Sequence, residues 1–214
     1  MKKILVVFIN WLVTVFSFFI SYERSRKLKY FSNRIYTQWI QRSFSQTGAG
    51  MMLEKPVYLI GAKHIKIGEN FFANSRLRIE CWSNFEIYRY NPELIIGNNV
   101  SFNYNCHIGC INKIVIGDNV LFASNVFITD HFHGSTRTLD LCAAPAKRQL
   151  HSKGAVIIEN NVWIGENVVI MPDVTIGENS IIGANAVVTK SFPKNSVVAG
   201  VPATLVKTFE FTDK

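Results

Sequence analysis

Cysteine is scarce: Cys81, Cys106, Cys110 and Cys142 are the four in 214 residues, and none forms a Cys-x-x-Cys pair. That is too few and too scattered for a disulfide framework in a chain of this length. Cys106-His107 and Cys110 lack the second cysteine or histidine pair that a zinc site needs, so reduced, structural thiols and no metal are expected. No glycine-rich phosphate loop of the Walker or dinucleotide type is present, which argues against nucleoside triphosphate and dinucleotide chemistry. Acidic residues are nearly missing from the first 50 positions, where eight Lys or Arg face Glu23 alone. The net charge of +8 therefore belongs mostly to the N-terminal part, and the rest of the chain has no basic surplus for nucleic acid.

What is abundant is apolar sequence, at 48% against 18% charged residues. This fits one globular core plus an unusually greasy segment. From Ile4 to Ile20 only Asn10, Thr14 and Ser17 interrupt the apolar run, with Lys2 and Lys3 before it and Arg24, Arg26, Lys27 and Lys29 after it. As a helix this run is about 26 Å long against a hydrocarbon core of about 30 Å, so it is a marginal membrane span. Phe18-Phe19-Ile20-Ser21-Tyr22-Glu23 offers no small-residue cleavage site, which favours a retained anchor over residues 1–22. The excess of cations after the run places the remainder of the chain on the cytoplasmic face of the membrane.

Residues 23–55 form the connection. Leu28, Phe31, Ile35, Trp39 and Ile40 recur near helical spacing with Lys27, Arg34 and Arg42 between them. The pattern reads as a basic amphipathic helix on an anionic membrane surface, or as a helix seated on the domain that follows.

The most specific signal is a period of six. Ile158, Ile164, Ile170, Ile176, Ile182 and Val188 keep it without a break, as do Ile96, Phe102 and Ile108, then Ile116, Phe122 and Ile128; Ile67, Ala73 and Ile79 follow less cleanly. An α-helix repeats every 3.6 residues and a simple strand every two, so neither explains it. A triangular coil does: every sixth side chain points inward, and short strands on three faces pair with the coils above and below. Gly97, Gly117, Gly165 and Gly177 follow inward residues where the chain leaves a strand, and Asn99, Asn119, Asn167 and Asn179 come two positions later, suited to left-handed corners.

Ile164-Gly165-Glu166-Asn167-Val168 and Ile176-Gly177-Glu178-Asn179 resemble the hexapeptide-repeat acyltransferase family, in particular the galactoside and maltose O-acetyltransferases, over residues 60–207. The resemblance implies a mainly β fold, a left-handed parallel β-helix over residues 56–207, followed by a tail at 208–214. It also implies acetyl-CoA as co-substrate and a homotrimer with active sites between subunits.

The repeat stops between Ile128 and Ile158, leaving a long loop at 129–154 that a solenoid accommodates on one side. Acetyl transfer to an alcohol needs a base for the hydroxyl proton, and histidine suits that task. Thr129-Asp130-His131 resembles the place where galactoside and maltose acetyltransferases carry their catalytic histidine, which makes His131 the expected base and His133 its competitor. Asn105 resembles a family residue that holds the acceptor sugar, with a corner asparagine as the alternative. Asp130 and His133 are further acceptor-side candidates, and Asp130 is also suited to orienting the imidazole or capping a turn. Trp163, Gly165, Ala184, Thr189 and Lys190 match motifs that line the family's coenzyme A groove, and Lys207 is placed to meet a CoA phosphate. Thr204 departs from the arginine expected after Gly200-Val201-Pro202-Ala203, which bears on adenine-end binding.

The expected activity is thus O-acetylation of a sugar hydroxyl, of a surface polysaccharide or its lipid-linked precursor. Competing readings are N-acetylation of a nucleotide-linked amino sugar, a serine acetyltransferase-like enzyme, a γ-class carbonic anhydrase using His107, His131 and His133, and an inactive membrane-bound scaffold.

Overall fold

The computed structural model describes residues 2–135 and 138–210; of the tail, 211–214 lie outside them. Two helices precede the coil: α1 (Lys2–Phe19) and α2 (Tyr22–Ile40), the second capped by the Ser21 side chain, which accepts a hydrogen bond from the Arg24 amide. No residue of α1 is buried, and by length and composition it is long and apolar enough to cross a membrane.

The period of six is realised as three parallel sheets. One runs through Gln46–Thr47, Ile65–Ile67, Glu93–Ile96, Lys113–Ile116, Val156–Ile158 and Val174–Ile176. The second passes from Met52–Leu53 through Phe72–Ala73, Ser101–Phe102, Leu121–Phe122, Trp163–Ile164 and Ile181–Ile182 to Ser196–Gly200, and Ala203–Thr208 closes it antiparallel. The third stacks Val57–Ile60, Leu77–Cys81, His107–Cys110, Phe127–Thr129, Val169–Ile170 and Val187–Val188. This three-sided coil is consistent with the β-helix that the resemblance implies.

Ile158, Ile164, Ile170, Ile176, Ile182 and Val188 are all fully buried, so the sequence period is the axis of the core. A second inward row runs two residues earlier, through Val156, Val162, Val168, Val174, Ser180 and Ala186. Burying each Ile or Val side chain contributes roughly 1.5–3 kcal/mol, so the stacked rows make the coil a rigid scaffold. In the earlier coils Phe102 and Phe122 stack with ring centroids 4.1 Å apart.

Corners divide the labour between two residue types. Asn99, Asn119 and Asn161 adopt φ of 55–58° and link coil to coil through their side-chain amides, Asn99 Nδ2 donating to Asn119 Oδ1 at 2.9 Å and Asn119 Nδ2 to Asn161 Oδ1 at 3.1 Å. Gly97 and Gly117, which precede Asn99 and Asn119, are not left-handed; they are needed for closeness. A Cβ on Gly97 would lie 2.7 Å from the backbone of Gly117, below any ordinary contact.

The helix α2 seats on the first coil, but not through the face its apolar spacing suggests. Leu28, Phe31, Ile35 and Trp39 remain 59–69% exposed, whereas Asn33, Thr37 and Ile40 are buried. Thr37 Oγ1 accepts the Leu53 amide at 2.9 Å and donates to Asn33 O at 2.8 Å. Of the apolar stripe only Ile40 turns inward, because the edge of the coil presents unpaired backbone groups and polar side chains satisfy them.

A second interruption of the repeat has no counterpart in the expected layout. Asn84–Phe85 and Tyr88–Arg89 form an antiparallel hairpin inserted between the strands Leu77–Cys81 and Glu93–Ile96.

Candidate active site

The chain leaves the third sheet at Thr129 and rejoins the coil at Val156, in the first sheet. Within that excursion Phe132–His133 pairs antiparallel with Leu150–His151, which ties the two ends of the loop together. The loop and the inserted hairpin also clasp each other. Lys147 Nζ meets Glu86 Oε1 at 2.9 Å, and Tyr90 Oη accepts the Leu150 amide at 2.9 Å.

His131 lies at the root of this loop, with a side chain 12% exposed. Its Nδ1 stands 2.9 Å from Asp130 Oδ1 and 3.3 Å from Thr129 Oγ1. Thr129 Oγ1 also accepts the His131 amide at 3.2 Å, so hydroxyl, backbone and ring are locked together. With Nδ1–H donated to a carboxylate, the tautomer assigned to the ring leaves the lone pair on Nε2. Gly109, opposite Thr129 in register, makes room for the ring: a Cβ there would lie 3.2 Å from His131 Cε1.

Asp130 is fully buried behind the imidazole. Its Oδ1 accepts the Ile111 amide at 3.0 Å and its Oδ2 the Asn112 amide at 2.8 Å. These bonds and His131 engage both oxygens from inside the protein, so Asp130 supports the ring instead of contacting an acceptor directly, as an acceptor-side role requires. The residue type was legible; the burial was not.

His133 is exposed and packs edge-on against Phe85, with ring centroids 5.5 Å apart, turned to the hairpin and away from the Asp130 support. Asn105 takes the corner role: its φ is 60° and its Nδ2 donates to Asn125 Oδ1 at 3.0 Å, inside an asparagine ladder like the others. It is exposed, but its conformation is set by the corner.

Cysteine is unsuited to act as a nucleophile here. Cys110, adjacent to Asp130, has its thiol pushed far above the usual range by the neighbouring Cys81, by burial and by Asp130, and burial pushes Cys106 up to about 11. A protonated, buried thiol does not attack a thioester.

The residues expected to bind coenzyme A lie at three places on the single chain. Trp163, 51% exposed on the second sheet, leads into the corner holding Gly165 and Ala184, where a Cβ on Gly165 would meet the Ala184 amide nitrogen at 2.7 Å. Thr189 and Lys190 are exposed beyond the last strand of the third sheet, with Lys190 Nζ 5.8 Å from the Phe192 ring centre. Lys207 is exposed on the closing antiparallel strand, opposite Val197. Among the described residues no three His, Cys, Asp or Glu are grouped to hold a metal. His107, His131 and His133 are each engaged separately, by Glu80, Asp130 and Phe85.

Glu80 and its partner Arg78, both neighbours of the site, escaped sequence reasoning. Glu80 is 5% exposed on the strand beside Gly109, and it binds His107 Nε2 through Oε2 at 3.2 Å and Arg78 Nη2 through Oε1 at 2.7 Å. The available signal was the outward parity of Glu80, one residue after inward Ile79, but the hairpin insertion hides which strand it neighbours.

Residues 155–190 match the family described as bacterial transferase hexapeptide (six repeats). WbbJ of Escherichia coli strain K12, whose name provisionally assigns it as a lipopolysaccharide-biosynthesis O-acetyl transferase, is 39% identical over 163 residues, covering 74% of this chain and 79% of WbbJ. A galactoside acetyltransferase solved in complex with coenzyme A superposes with a TM-score of 0.52 at 33% identity, covering 82% of this chain and 74% of that one. The fold is shared more widely: AntD, an N-acyltransferase from Bacillus cereus solved with dTDP-4-amino-4,6-dideoxyglucose and coenzyme A, gives a TM-score of 0.66 at 18% identity, covering 82% of this chain and 90% of AntD. Together with the period-six coil, these similarities show that the chain belongs to the hexapeptide-repeat acyltransferases, enzymes that use an acyl-coenzyme A, and is an acetyltransferase with acetyl-CoA as its co-substrate.

Proposed function

We propose that the protein transfers the acetyl group of acetyl-CoA to a sugar hydroxyl, with His131 as general base. The observation that carries this reading is the Asp130–His131 pair, which fixes the ring and leaves Nε2 free at the mouth of an inserted loop. In the reaction, the acceptor hydroxyl gives its proton to Nε2 as its oxygen attacks the thioester carbonyl. The tetrahedral intermediate collapses with loss of the CoA thiolate, which the imidazolium reprotonates. Asp130 stabilises that imidazolium and holds the tautomer. Transfer is direct, in keeping with the raised Cys106 and Cys110 thiols.

The CoA-groove residues lie apart on one chain, which supports a homotrimer in which neighbouring coils complete each groove. The wholly exposed helix α1 and the exposed stripe Leu28, Phe31, Ile35 and Trp39, flanked by Lys27, Lys29 and Arg34, support anchoring to the cytoplasmic face of a membrane. An acceptor at that surface is a polysaccharide or its lipid-linked precursor.

The test is release of free CoA thiol by the purified full-length chain with acetyl-CoA and a panel of free, nucleotide-linked and lipid-linked sugars. The expected result is an ester-linked acetyl group, removed by mild alkali. An amide-linked product on an amino sugar would replace O-transfer by N-transfer, and no transfer would defeat the reading. Light scattering should give three chains, and deleting residues 2–20 should release the protein from membranes while transfer to a soluble acceptor persists.

A further inference from the structure

Next to the His131 ring the third sheet carries a polar group that the proposed chemistry does not use. Its outward positions form two rows across parallel strands: Glu80, Gly109 and Thr129 in one, Arg78, His107 and Phe127 in the other. The His131 ring rests over Gly109, the middle of the first row, so Glu80 is its next side-chain neighbour along that row, one inter-strand spacing of about 4.8 Å from Gly109. Glu80 holds Arg78 at 2.7 Å and His107 at 3.2 Å, and the His107 ring is set against Phe127 with centroids 4.9 Å apart.

A carboxylate with a 7% exposed side chain costs stability unless its partners compensate it. Here the partners are only partly covered, with side chains of Arg78 and His107 exposed by 51% and 29%. Burial holds His107 below the usual imidazole range despite Glu80, so the neutral ring donates Nε2–H to Glu80. Among the described residues the His107 ring makes no hydrogen bond besides the one through Nε2, and Nδ1 is not a buried unpartnered atom, so Nδ1 is an open acceptor. Arg78, resting over the Tyr58 ring at 5.6 Å, offers guanidinium donors beside it. Rigid donor and acceptor side by side, next to a base, match what a polyhydroxylated ligand requires.

We propose that Arg78 and His107, held by Glu80, form the acceptor-recognition platform of the transferase site, binding hydroxyl and ring oxygens of the sugar whose reacting hydroxyl lies at His131 Nε2. This rests on the sugar-transfer reading above. Arg78 and His107 touch the acceptor; Glu80 is a positioning residue that acts through them.

The experiment compares the full-length wild-type chain with Arg78→Ala, His107→Ala, His107→Gln and Glu80→Gln, using the best acceptor from the sugar panel. Arg78→Ala and His107→Ala should each raise the acceptor KM about 10-fold or more, with the acetyl-CoA KM unchanged and turnover at saturating acceptor falling no more than about 3-fold. Glu80→Gln should move the acceptor KM in the same direction. His107→Gln, which retains a donor toward Glu80, should recover part of the loss. An unchanged acceptor KM, or a fall in turnover with both KM values unchanged, would overturn the platform.

Failure of the wild-type chain to acetylate any sugar would count against the transfer reading, and the platform is then read by binding alone. With histidine-labelled protein in the presence of CoA, the same sugars should shift the His107 NMR resonances. Shifts confined to His131, or none at either histidine, would overturn it.

Discussion

Asp130 and His131 are consecutive in sequence, yet Oδ1 of one meets Nδ1 of the other at 2.9 Å while the same carboxylate takes the amides of Ile111 and Asn112 from the preceding coil. One side chain thus ties the inserted loop to the scaffold and sets the imidazole tautomer. Asp130→Asn should therefore lower turnover by about 10²–10⁴-fold, because an amide both supports the wrong tautomer and loses an acceptor for the backbone. Steady-state kinetics with saturating acetyl-CoA measure it, and near-normal turnover would remove Asp130 from the mechanism.

His131→Ala should reduce transfer by about 10²–10⁴-fold with folding and CoA binding kept, the range for loss of a general base. His133→Ala, which removes a ring packed on Phe85, should leave turnover within about 3-fold. The reverse outcome would make His133 the base.

Gly109→Ala should cost turnover without unfolding the coil. The new Cβ, 3.2 Å from His131 Cε1, displaces the ring by a few tenths of an ångström, and errors of about 1 Å at a reacting group cost about 10²-fold. A loss of about 10-fold at unchanged melting temperature is expected; an unaltered rate would show that the ring position is not limiting.

Thr37→Val should destabilise the junction between α2 and the first coil. The Leu53 amide loses its buried acceptor, a cost of about 1–3 kcal/mol. Thermal unfolding should report a lower midpoint for this variant and little change for the exposed Trp39→Ala.

The fold should weaken in acid through His64 and His107. Both are held below the usual imidazole range, by burial in the first place, with Lys63 acting in the same direction on His64 and Arg78 on His107, where Glu80 opposes the shift. The unfolded chain then binds more protons than the native one as pH falls below about 6.5, so this stability is complete above that pH and is lost as pH drops through the native values. Melting temperatures from pH 7.5 to pH 5 should fall, and fall less in His64→Gln and His107→Gln; an equal fall in all three proteins would refute the assignment.

The coil was legible because it is written at a fixed spacing. Ile158 to Val188 repeat every sixth residue, each turns up fully buried, and the Gly and Asn positions that follow them make the corners. Local geometry and hydrophobic burial act at that same period, so sequence and structure carry one signal. The candidate base was legible through its place at the break in the repeat and its resemblance to known acetyltransferases.

What sequence spacing left undecided depends on contacts between coils. The length of each insertion changes which strands become neighbours, and the hairpin at Asn84–Arg89 separates Glu80 from Gly109 by 29 residues while the register sets them side by side. The burial of Asp130 arises because the preceding corner offers the amides of Ile111 and Asn112, a match with no local signature. The helix α2 turned its polar side to the coil because the coil's first edge needed hydrogen-bond partners more than apolar cover. By itself the sequence determined the period, the corners and the identity of the candidate base; tertiary structure alone decided the register, the buried support behind His131 and the polar row beside it, because those are set by strand neighbours far apart in the chain.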